Sequence, residues 1–320
     1  MINSKISTIL LFLIIPTVLC FVIQQEKQQT NKNESSELML VQLLFRHGDR
    51  TPISQYTTDP YRSYNFKEGL GQLTTYGKKR LYNYGKFLKQ RYFEYLDGIL
   101  LKNVDANSSP LRRCIETNQL VLAGMLPPKK PWSDNDTLSH EWVPIAVETS
   151  EMARAWLLSP EAKCPIAEMI EKSMSEEPKL KEFLKENEIV IKNIFNATFR
   201  TNVTYWQQLA WIDDTLEVEK QYFGDDYKQP DWLSHVGTQN ADETMNLLRK
   251  ANNFQFYSPG QSKEYLKLRT GLLLNRLISN MKNIGNLVSK NAEERKLFTF
   301  SSHDTMIAYV MHSLGFYRGV

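Results

Sequence analysis

The sequence predicts an α/β fold, in which helices flank a mostly parallel central sheet and a mostly helical cap domain is inserted. Three apolar segments, at residues 40–45, 98–104 and 296–301, have the character of buried strands, and amphipathic helical stretches separate them. Between residues 150 and 250 the composition changes to Lys- and Glu-rich helical segments. Strands that alternate with helices indicate a parallel sheet, and the helical block is therefore interpreted as the cap.

Length and composition set the domain organisation. The 320 residues allow two domains, or one large domain with an insertion. We predict a signal peptide over residues 1–23, a disordered lead-in over 24–37, a core formed by 38–149 and 251–320, and a cap over 150–250. The net charge of +3 is too small to favour nucleic acid or an anionic membrane as a partner.

The N-terminal stretch has the features of a secretory signal peptide. Lys5 gives a short positive leader, and residues 9–23 are almost wholly apolar but shorter than a comfortable membrane span. An uncleaved N-terminal anchor is the alternative, and no later stretch approaches a span. The polar residues 24–37 are predicted to be disordered. Secretion also fits the glycosylation sequons at Asn33, Asn107, Asn135, Asn196 and Asn202.

Cysteine usage leaves one question open. Removal of the leader takes Cys20 with it and leaves Cys114 and Cys164. These two could form a disulfide bond in an oxidising compartment, or either could have a partner elsewhere. The expected location is extracellular or lysosomal.

A cluster of polar groups follows the first predicted strand. Arg46, His47 and Arg50 come directly after the apolar run, with no spacer. In open parallel sheets, ligands bind just beyond the carboxyl ends of the strands. His47 between two guanidinium groups is therefore expected where an anion would bind. A strand that ends in a solvated basic turn is the alternative.

A second set of basic groups follows the second predicted strand. Ser109 is expected to cap a helix that has Pro110 in its first position and ends before Pro127. This start places Arg112 and Arg113 in the first turn, where the helix dipole favours an anion. We expect Arg112 to reach solvent, whereas for Arg113 an inward-facing role and a solvent-exposed position both stay open.

The third predicted strand is followed by His303 and Asp304. If the three strands are parallel neighbours, their polar ends converge at one edge of the sheet. For Asp304 the alternative is a helix N-cap, and for His303 a hydrogen-bonded residue in a turn.

Together these residue types suit phosphate chemistry. Three arginines can hold a phosphate through planar, multi-donor contacts. His47 can act as a nucleophile and form a phosphohistidine intermediate, because adjacent cations favour its neutral form. His303 can donate a hydrogen bond to phosphate, and Asp304 can protonate the leaving group and then activate water. This chemistry needs no metal or other cofactor, and no residue cluster has metal-ligand spacing.

The motifs also resemble those of a known family. Residues 46–52, RHGDRTP, are similar to the RHGxRxP signature of the histidine acid phosphatases, and His303-Asp304 resembles that family's downstream HD pair. The similarity continues in residues 71–74, and in Arg113 with its spacing to Pro127. Residues 212–233 resemble the cap segment of the animal prostatic and lysosomal acid phosphatases.

The resemblance implies an α/β core with a mostly helical cap. It also implies site residues: His47 as the nucleophile, Asp304 as the proton donor, and four residues that hold phosphate, namely Arg46, Arg50, Arg113 and His303. Two departures accompany it. Family members usually continue well past the HD pair, and Arg112 stands where the animal enzymes commonly have an acidic residue.

Three functions follow as expectations. The first is a secreted or lysosomal acid phosphatase that hydrolyses small phosphate monoesters, with phosphoproteins as a further substrate class and a homodimer as the expected assembly. The second is a phytase or inositol-polyphosphate phosphatase of the same fold, ranked lower because the cap shows no excess of Lys and Arg. The third is a secreted binding protein with impaired catalysis, considered because of the short C-terminal segment.

Overall fold

The computed structural model describes residues 18–26, 36–129, 142–199, 206–236, 240–287 and 296–317. The chain divides into two compact units, which are described separately. The first contains the segments Met1–Gly48, Tyr76–Lys163 and Arg269–Ile307. The second contains Asp49–Thr75, Cys164–Leu268 and Ala308–Val320.

The first unit is built on a four-stranded sheet. Its strands are β1 (Val18–Glu26), β2 (Ser36–Arg46), β3 (Val104–Ser108) and β4 (Leu297–Ser302), in the spatial order β1-β2-β4-β3. Strands β2, β4 and β3 are parallel, and β1 pairs with β2 in the antiparallel direction. Every residue of β4 is buried. The predicted α/β class with a mostly parallel sheet is confirmed.

The described ranges contain α-helices as follows: α1 (Thr75–Arg91), α2 (Phe93–Asp97), α3 (Arg112–Met125), α4 (Pro165–Ser173), α5 (Pro178–Glu186), α6 (Glu188–Phe199), α7 (Gln207–Phe223), α8 (Ala241–Tyr257), α9 (Lys263–Leu287) and α10 (Asp304–Ser313). Within the described residues, no helix has the length and apolar character needed to cross a membrane.

Helices cover both faces of the sheet in the first unit. Gln42 on β2 donates from Nε2 to the carbonyl oxygen of Leu277 on α9, at 3.1 Å. Thr299 on β4 donates to Oδ1 of Asn118 on α3, at 2.8 Å. Thr299 lies opposite Leu43, the neighbour of Gln42. Because successive side chains of a strand point to opposite faces, α9 and α3 pack on opposite sides.

The strand register places the carboxyl ends of β2, β3 and β4 side by side at one edge of the sheet. β2 ends at Arg46, which lies opposite Ser302, and β3 ends at Ser108, which lies opposite Ser301. The amide of His47 continues the ladder by donating to the carbonyl oxygen of Ser302, at 3.0 Å. The residues that follow the three strands therefore start from the same edge of the sheet.

The second unit is largely helical in its described residues. Its main core lies between helices α6, α7 and α8 and includes Tyr56, Ile194, Phe195, Leu209, Ile212, Leu216, Leu248 and Ala251. A smaller cluster joins Tyr265 on α9 to Tyr309 on α10. The predicted boundaries of core and cap remain predictions.

Two predicted strands differ from the structure. Residues 101–103 form a 3₁₀ turn, and β3 begins where the predicted strand ended. Leu100 and Leu101 are exposed, so their apolar character does not reflect a buried strand. The sequence also predicts a strand over residues 141–149, near a sheet edge because of Pro144. In the structure, residues 142–147 have no regular structure, and Glu148 makes a single bridge to Asn107. Pro144 lacks the amide proton that a ladder requires.

The predicted leader and lead-in are described only in part. Residues 1–17 and 27–35 lie outside the described residues, so the signal peptide remains a prediction. Residues 24–26 of the predicted lead-in belong to β1, and residues 36–37 belong to β2. Cleavage near residue 23 would remove most of β1 and leave the parallel strands β2, β4 and β3.

Candidate active site

The orientation of His47 fixes which ring nitrogen is available. Its Nδ1 lies 2.9 Å from the carbonyl oxygen of Gly48. A carbonyl oxygen only accepts hydrogen bonds, so Nδ1 must carry the proton. In the neutral ring, the lone pair then lies on Nε2. His47 is buried, which limits competition from water for this atom.

The backbone after His47 is held between two helices. The Gly48 amide donates to the hydroxyl of Thr117 at 3.1 Å, and that hydroxyl donates to the carbonyl oxygen of Arg113 at 2.7 Å. A Cβ atom at Gly48 would lie 2.6 Å from Cδ1 of Leu81 on α1. A side chain at position 48 would therefore require Leu81 to move.

His303 lies beside His47 in the first unit. The two ring centroids are 5.6 Å apart, with an interplanar angle of 72°. His303 Nε2 lies 2.9 Å from the hydroxyl oxygen of Ser109 and 3.7 Å from the sulfur of Cys114. His303 is therefore a buried ring with a defined polar partner.

Burial lowers the pKa of His303 below the usual histidine range, because the charged ring loses its hydration. The positive charges of Arg113 and Arg46 lower this pKa further, whereas Glu161 and Asp304 act in the opposite direction. The net effect favours a neutral His303 ring.

Asp304 is the first residue of α10, and both of its carboxylate oxygens have polar contacts. Its Oδ2 lies 2.9 Å from Arg46 Nε, and its Oδ1 accepts a hydrogen bond from the Thr305 amide at 2.9 Å. The Asp304 side chain is 43% exposed, so water and a substrate can reach the carboxyl group. The carboxylate therefore contacts both the Arg46 side chain and the backbone of α10.

The two arginines of α3 behave differently. Arg112 is exposed and forms an ion pair with Glu116, in which Nε lies 2.7 Å from Oε1. Arg113 is half-buried, and its charge acts on His303. The predicted position of both residues in the first helical turn is confirmed, as is the exposure of Arg112. The predicted cap is wrong: α3 begins at Arg112, and the hydroxyl of Ser109 is engaged with His303 instead.

Arg50 belongs to the second unit. It is 7% exposed, and its Nη2 donates to both carboxylate oxygens of Asp214 on α7, at 2.8 and 3.0 Å. Its Nη1 donates to the carbonyl oxygen of Thr51 at 3.3 Å. The other five predicted site residues lie in the first unit, namely Arg46, His47, Arg113, His303 and Asp304.

Sequence reasoning missed Ser109, Thr117 and Asp214 as partners of the predicted residues. Ser109 precedes a proline, a pattern typical of a helix start, which favoured the cap interpretation. Asp214 and Arg50 are far apart in sequence, and no local pattern connects them. Their pairing requires the folded chain.

The cysteines are not joined to each other. Cys114 is buried, Cys164 is half-buried, and both are free. Burial raises the pKa of the Cys114 thiol to about 12, so the thiol keeps its proton. Within the part of the chain that the structure describes, no three His, Cys, Asp or Glu side chains are grouped to hold a metal ion.

Comparison with known proteins identifies the family. Residues 37–320 match the sequence model of the histidine phosphatase superfamily (branch 2). The chain therefore belongs to this family. The resemblance noted from the motifs is confirmed at the family level.

The curated relatives include acid phosphatases. The chain is 29% identical to lysosomal acid phosphatase of Homo sapiens over 288 residues, which cover 88% of this chain and 64% of the relative. It is 28% identical to prostatic acid phosphatase of Rattus norvegicus over 292 residues, which cover 90% of this chain and 72% of the relative. The chain thus spans somewhat less than two thirds of the lysosomal relative's length.

Solved structures support the fold. The phytase from Citrobacter braakii aligns with a TM-score of 0.59 at 16% identity, covering 87% of this chain and 76% of that chain. The Klebsiella sp ASR1 phytase aligns with a TM-score of 0.56 at 18% identity, covering 86% and 71%. At these identities the likeness establishes the fold alone.

Proposed function

We propose that this protein is an acid phosphatase that hydrolyses phosphate monoesters through a phosphohistidine intermediate on His47. The observation that carries the proposal is the hydrogen bond from His47 Nδ1 to the Gly48 carbonyl oxygen, which puts the lone pair of the neutral ring on Nε2. Membership of the histidine phosphatase superfamily and the acid phosphatase relatives support the reaction class.

The first step transfers the phosphoryl group to the enzyme. Nε2 of His47 attacks the phosphorus atom, and the bond from phosphorus to the ester oxygen breaks. Asp304, in its protonated form, gives its proton to the leaving alkoxide. The products of this step are the free alcohol, phosphohistidine and an Asp304 carboxylate.

The second step releases phosphate. The Asp304 carboxylate takes a proton from water while the water oxygen attacks phosphorus, and the bond to His47 breaks. Asp304 regains its proton, and His47 returns to its starting tautomer. Acidic pH supports this cycle because the first step requires a protonated Asp304.

Phosphate binding is assigned to four residues: Arg46, Arg50, Arg113 and His303. The charges of Arg46 and Arg113 act on His303, which supports a shared anion site in the first unit. A bound phosphate dianion would compete with Asp304 for Arg46. Release of that ion pair would favour protonation of Asp304 when the substrate is present. For Arg50, the RHGxRxP motif is the support.

The biological setting extends the proposal. Small phosphate monoesters are the proposed substrates, with phosphoproteins as a further class. We assign the protein to the extracellular space or the lysosome, on the basis of the predicted signal peptide and the relatives' names. Glycosylation and a homodimer belong to the same proposal.

The test is hydrolysis of p-nitrophenyl phosphate by the purified protein from pH 4 to 8. We expect activity at acidic pH and its loss in His47→Ala. The matched control is His235→Ala, because His235 is exposed and bonds only to a backbone oxygen of its own turn in the described residues. Full activity in His47→Ala would exclude the mechanism.

Two further measurements separate the alternatives. Acid-labile, alkali-stable labelling of the quenched enzyme with ³²P is expected for phosphohistidine. Turnover of phytate well above that of the aryl phosphate would favour an inositol-polyphosphate phosphatase. Binding of inorganic phosphate without any turnover would favour a binding protein.

A further inference from the structure

Ser109 occupies a fully buried position between the candidate site and the sheet. It follows β3, and its amide donates to the carbonyl oxygen of Ser301 on β4, at 2.9 Å. Its hydroxyl oxygen lies 2.9 Å from Nε2 of His303, which is 3% exposed. Water cannot easily replace a contact between two such buried groups.

The direction of this hydrogen bond follows from the neighbouring thiol. The sulfur of Cys114 lies 3.6 Å from the carbonyl oxygen of Ser302, and in this contact the thiol must be the donor because a carbonyl oxygen only accepts. Because burial keeps the thiol protonated, the thiol donates its proton to the Ser302 carbonyl oxygen. Sulfur is a weak acceptor, so the best acceptor for the Ser109 hydroxyl is His303 Nε2.

A hydrogen bond in this direction determines the tautomer of His303. If Nε2 accepts from Ser109, the proton of the neutral ring lies on Nδ1. In the described residues, Nδ1 makes no hydrogen bond of its own. It therefore remains available as a donor to a ligand.

Charged groups of both signs surround the His303 ring. The positive charges of Arg46 and Arg113 lower the pKa of His303, and the carboxyl groups of Glu161 and Asp304 raise it. A neutral ring with the proton on Nδ1 can donate to a phosphate oxygen. The opposite tautomer would present a lone pair to the same oxygen and repel it.

We propose that Ser109 is a positioning residue whose hydroxyl holds His303 in the Nδ1-protonated tautomer, so that His303 donates a hydrogen bond to bound phosphate. The part of this inference that concerns phosphate rests on the proposed function. The part that concerns the tautomer does not.

The first experiment measures the tautomer without any use of activity. ¹⁵N-labelled histidine in the full-length protein reports which ring nitrogen of His303 carries the proton, and His303→Gln assigns the signal. We expect protonated Nδ1 in the wild-type protein and a mixture of tautomers in Ser109→Ala. A wild-type ring protonated on Nε2 would overturn the proposal, even if the protein has no phosphatase activity.

The second experiment measures function with a neighbouring control. Ser109→Ala is expected to raise the inhibition constant of inorganic phosphate and the KM of p-nitrophenyl phosphate by about tenfold, with a smaller change in kcat. Ser108→Ala is the control, because Ser108 is also buried but its hydroxyl donates to the Ser109 carbonyl oxygen at 2.7 Å. Equal effects of the two variants would contradict a specific role.

A double-mutant cycle tests whether Ser109 acts through His303. In a His303→Ala background, Ser109→Ala is expected to change the KM by less than about twofold, because the group it positions is already absent. Additive effects of the two substitutions would refute the positioning role.

Discussion

Arg46, at the end of β2, and Asp304, which follows β4, form an ion pair in which Nε lies 2.9 Å from Oδ2. The pair is partly exposed, so it contributes at most about 1 kcal/mol to stability. Its importance is chemical. It places a carboxyl group beside the arginine that precedes His47 in sequence, at the edge where a phosphate ester would bind.

The role of Asp304 predicts a dependence on the leaving group. Asp304→Asn should lower kcat for alkyl phosphates by about 10²- to 10⁴-fold, because a poor leaving group needs a proton donor. The loss should be much smaller for p-nitrophenyl phosphate. Asp225→Asn, at an exposed position of the second unit, is the control. Equal losses on both substrates would argue against an acid role for Asp304.

The close contact of Gly48 with α1 predicts a rescue experiment. Gly48→Ala should reduce kcat/KM by about 10²-fold, since its Cβ would meet Leu81 and displace His47 by a fraction of an ångström or more. Truncation of the obstacle in Gly48→Ala/Leu81→Ala should restore part of the activity. If the double variant is no more active than Gly48→Ala, steric displacement is not the cause.

The Asp214 carboxylate predicts a stability effect in the second unit. Asp214→Asn should lower the free energy of unfolding by about 1–3 kcal/mol, because the buried Arg50 loses its charged partner. Asp214→Glu should restore part of the loss, as it keeps the charge. Urea denaturation at constant pH measures both variants. An unchanged midpoint in Asp214→Asn would contradict a stabilising pair.

A buried carboxyl pair predicts a pH dependence of stability in the second unit. Glu219 is fully buried, and burial together with the nearby carboxyl of Asp59 raises the pKa of Glu219 to about 9. The pKa of Asp59 is also raised, chiefly by burial, although the charge of Arg62 lowers it. Tyr56 and Tyr227 lie in the same environment and add no positive charge.

The direction in which stability changes with pH depends on whether the folded or the unfolded chain binds the Glu219 proton more tightly. The folded chain binds the Glu219 proton more tightly than the unfolded chain, whose glutamates titrate near about 4.3. The contribution of Glu219 to the free energy of unfolding is therefore fully present below about pH 4.3. It falls as pH rises towards 9, by up to about 1.4 kcal/mol per pH unit for one proton.

Unfolding in urea at pH 5, 7 and 8.5 measures this slope. Glu219→Gln should make the midpoint less dependent on pH, because the amide stays neutral throughout. Glu217→Gln, at a position that is more exposed, should leave the slope in place. A wild-type midpoint that is constant from pH 5 to 8.5 would contradict a raised pKa of Glu219 in the folded chain.

The glycosylation sequons give a further prediction. Asn107 lies in β3, where its side-chain amide donates to Asp105 and its carbonyl oxygen accepts from Asn118. Pro110 follows the sequon closely. We expect no glycan at Asn107, whereas Asn196 is exposed on α6. Glycopeptide mapping that finds Asn107 occupied would refute this.

Local sequence patterns account for much of the first unit. The apolar run before Arg46 and the run before His303 are strands because consecutive buried residues suit a strand covered on both faces. Helical periodicity predicts helices over residues 73–92 and 265–288, and α1 and α9 agree with these bounds to within a few residues. The apolar residues 98–101 were misleading, because exposed and buried leucines have the same sequence signature.

The sequence by itself determines which residue types follow the strands. It also contains the family motif that these residues form. The packing of distant segments determined the rest: the register that levels the strand ends, the contact of Ser109 with His303, and the pair of Arg50 with Asp214. Periodicity and capping describe neighbours along the chain. The Ser109 hydroxyl could cap a helix or bond to a histidine, and the groups that the folded chain places beside it determine which of the two it does.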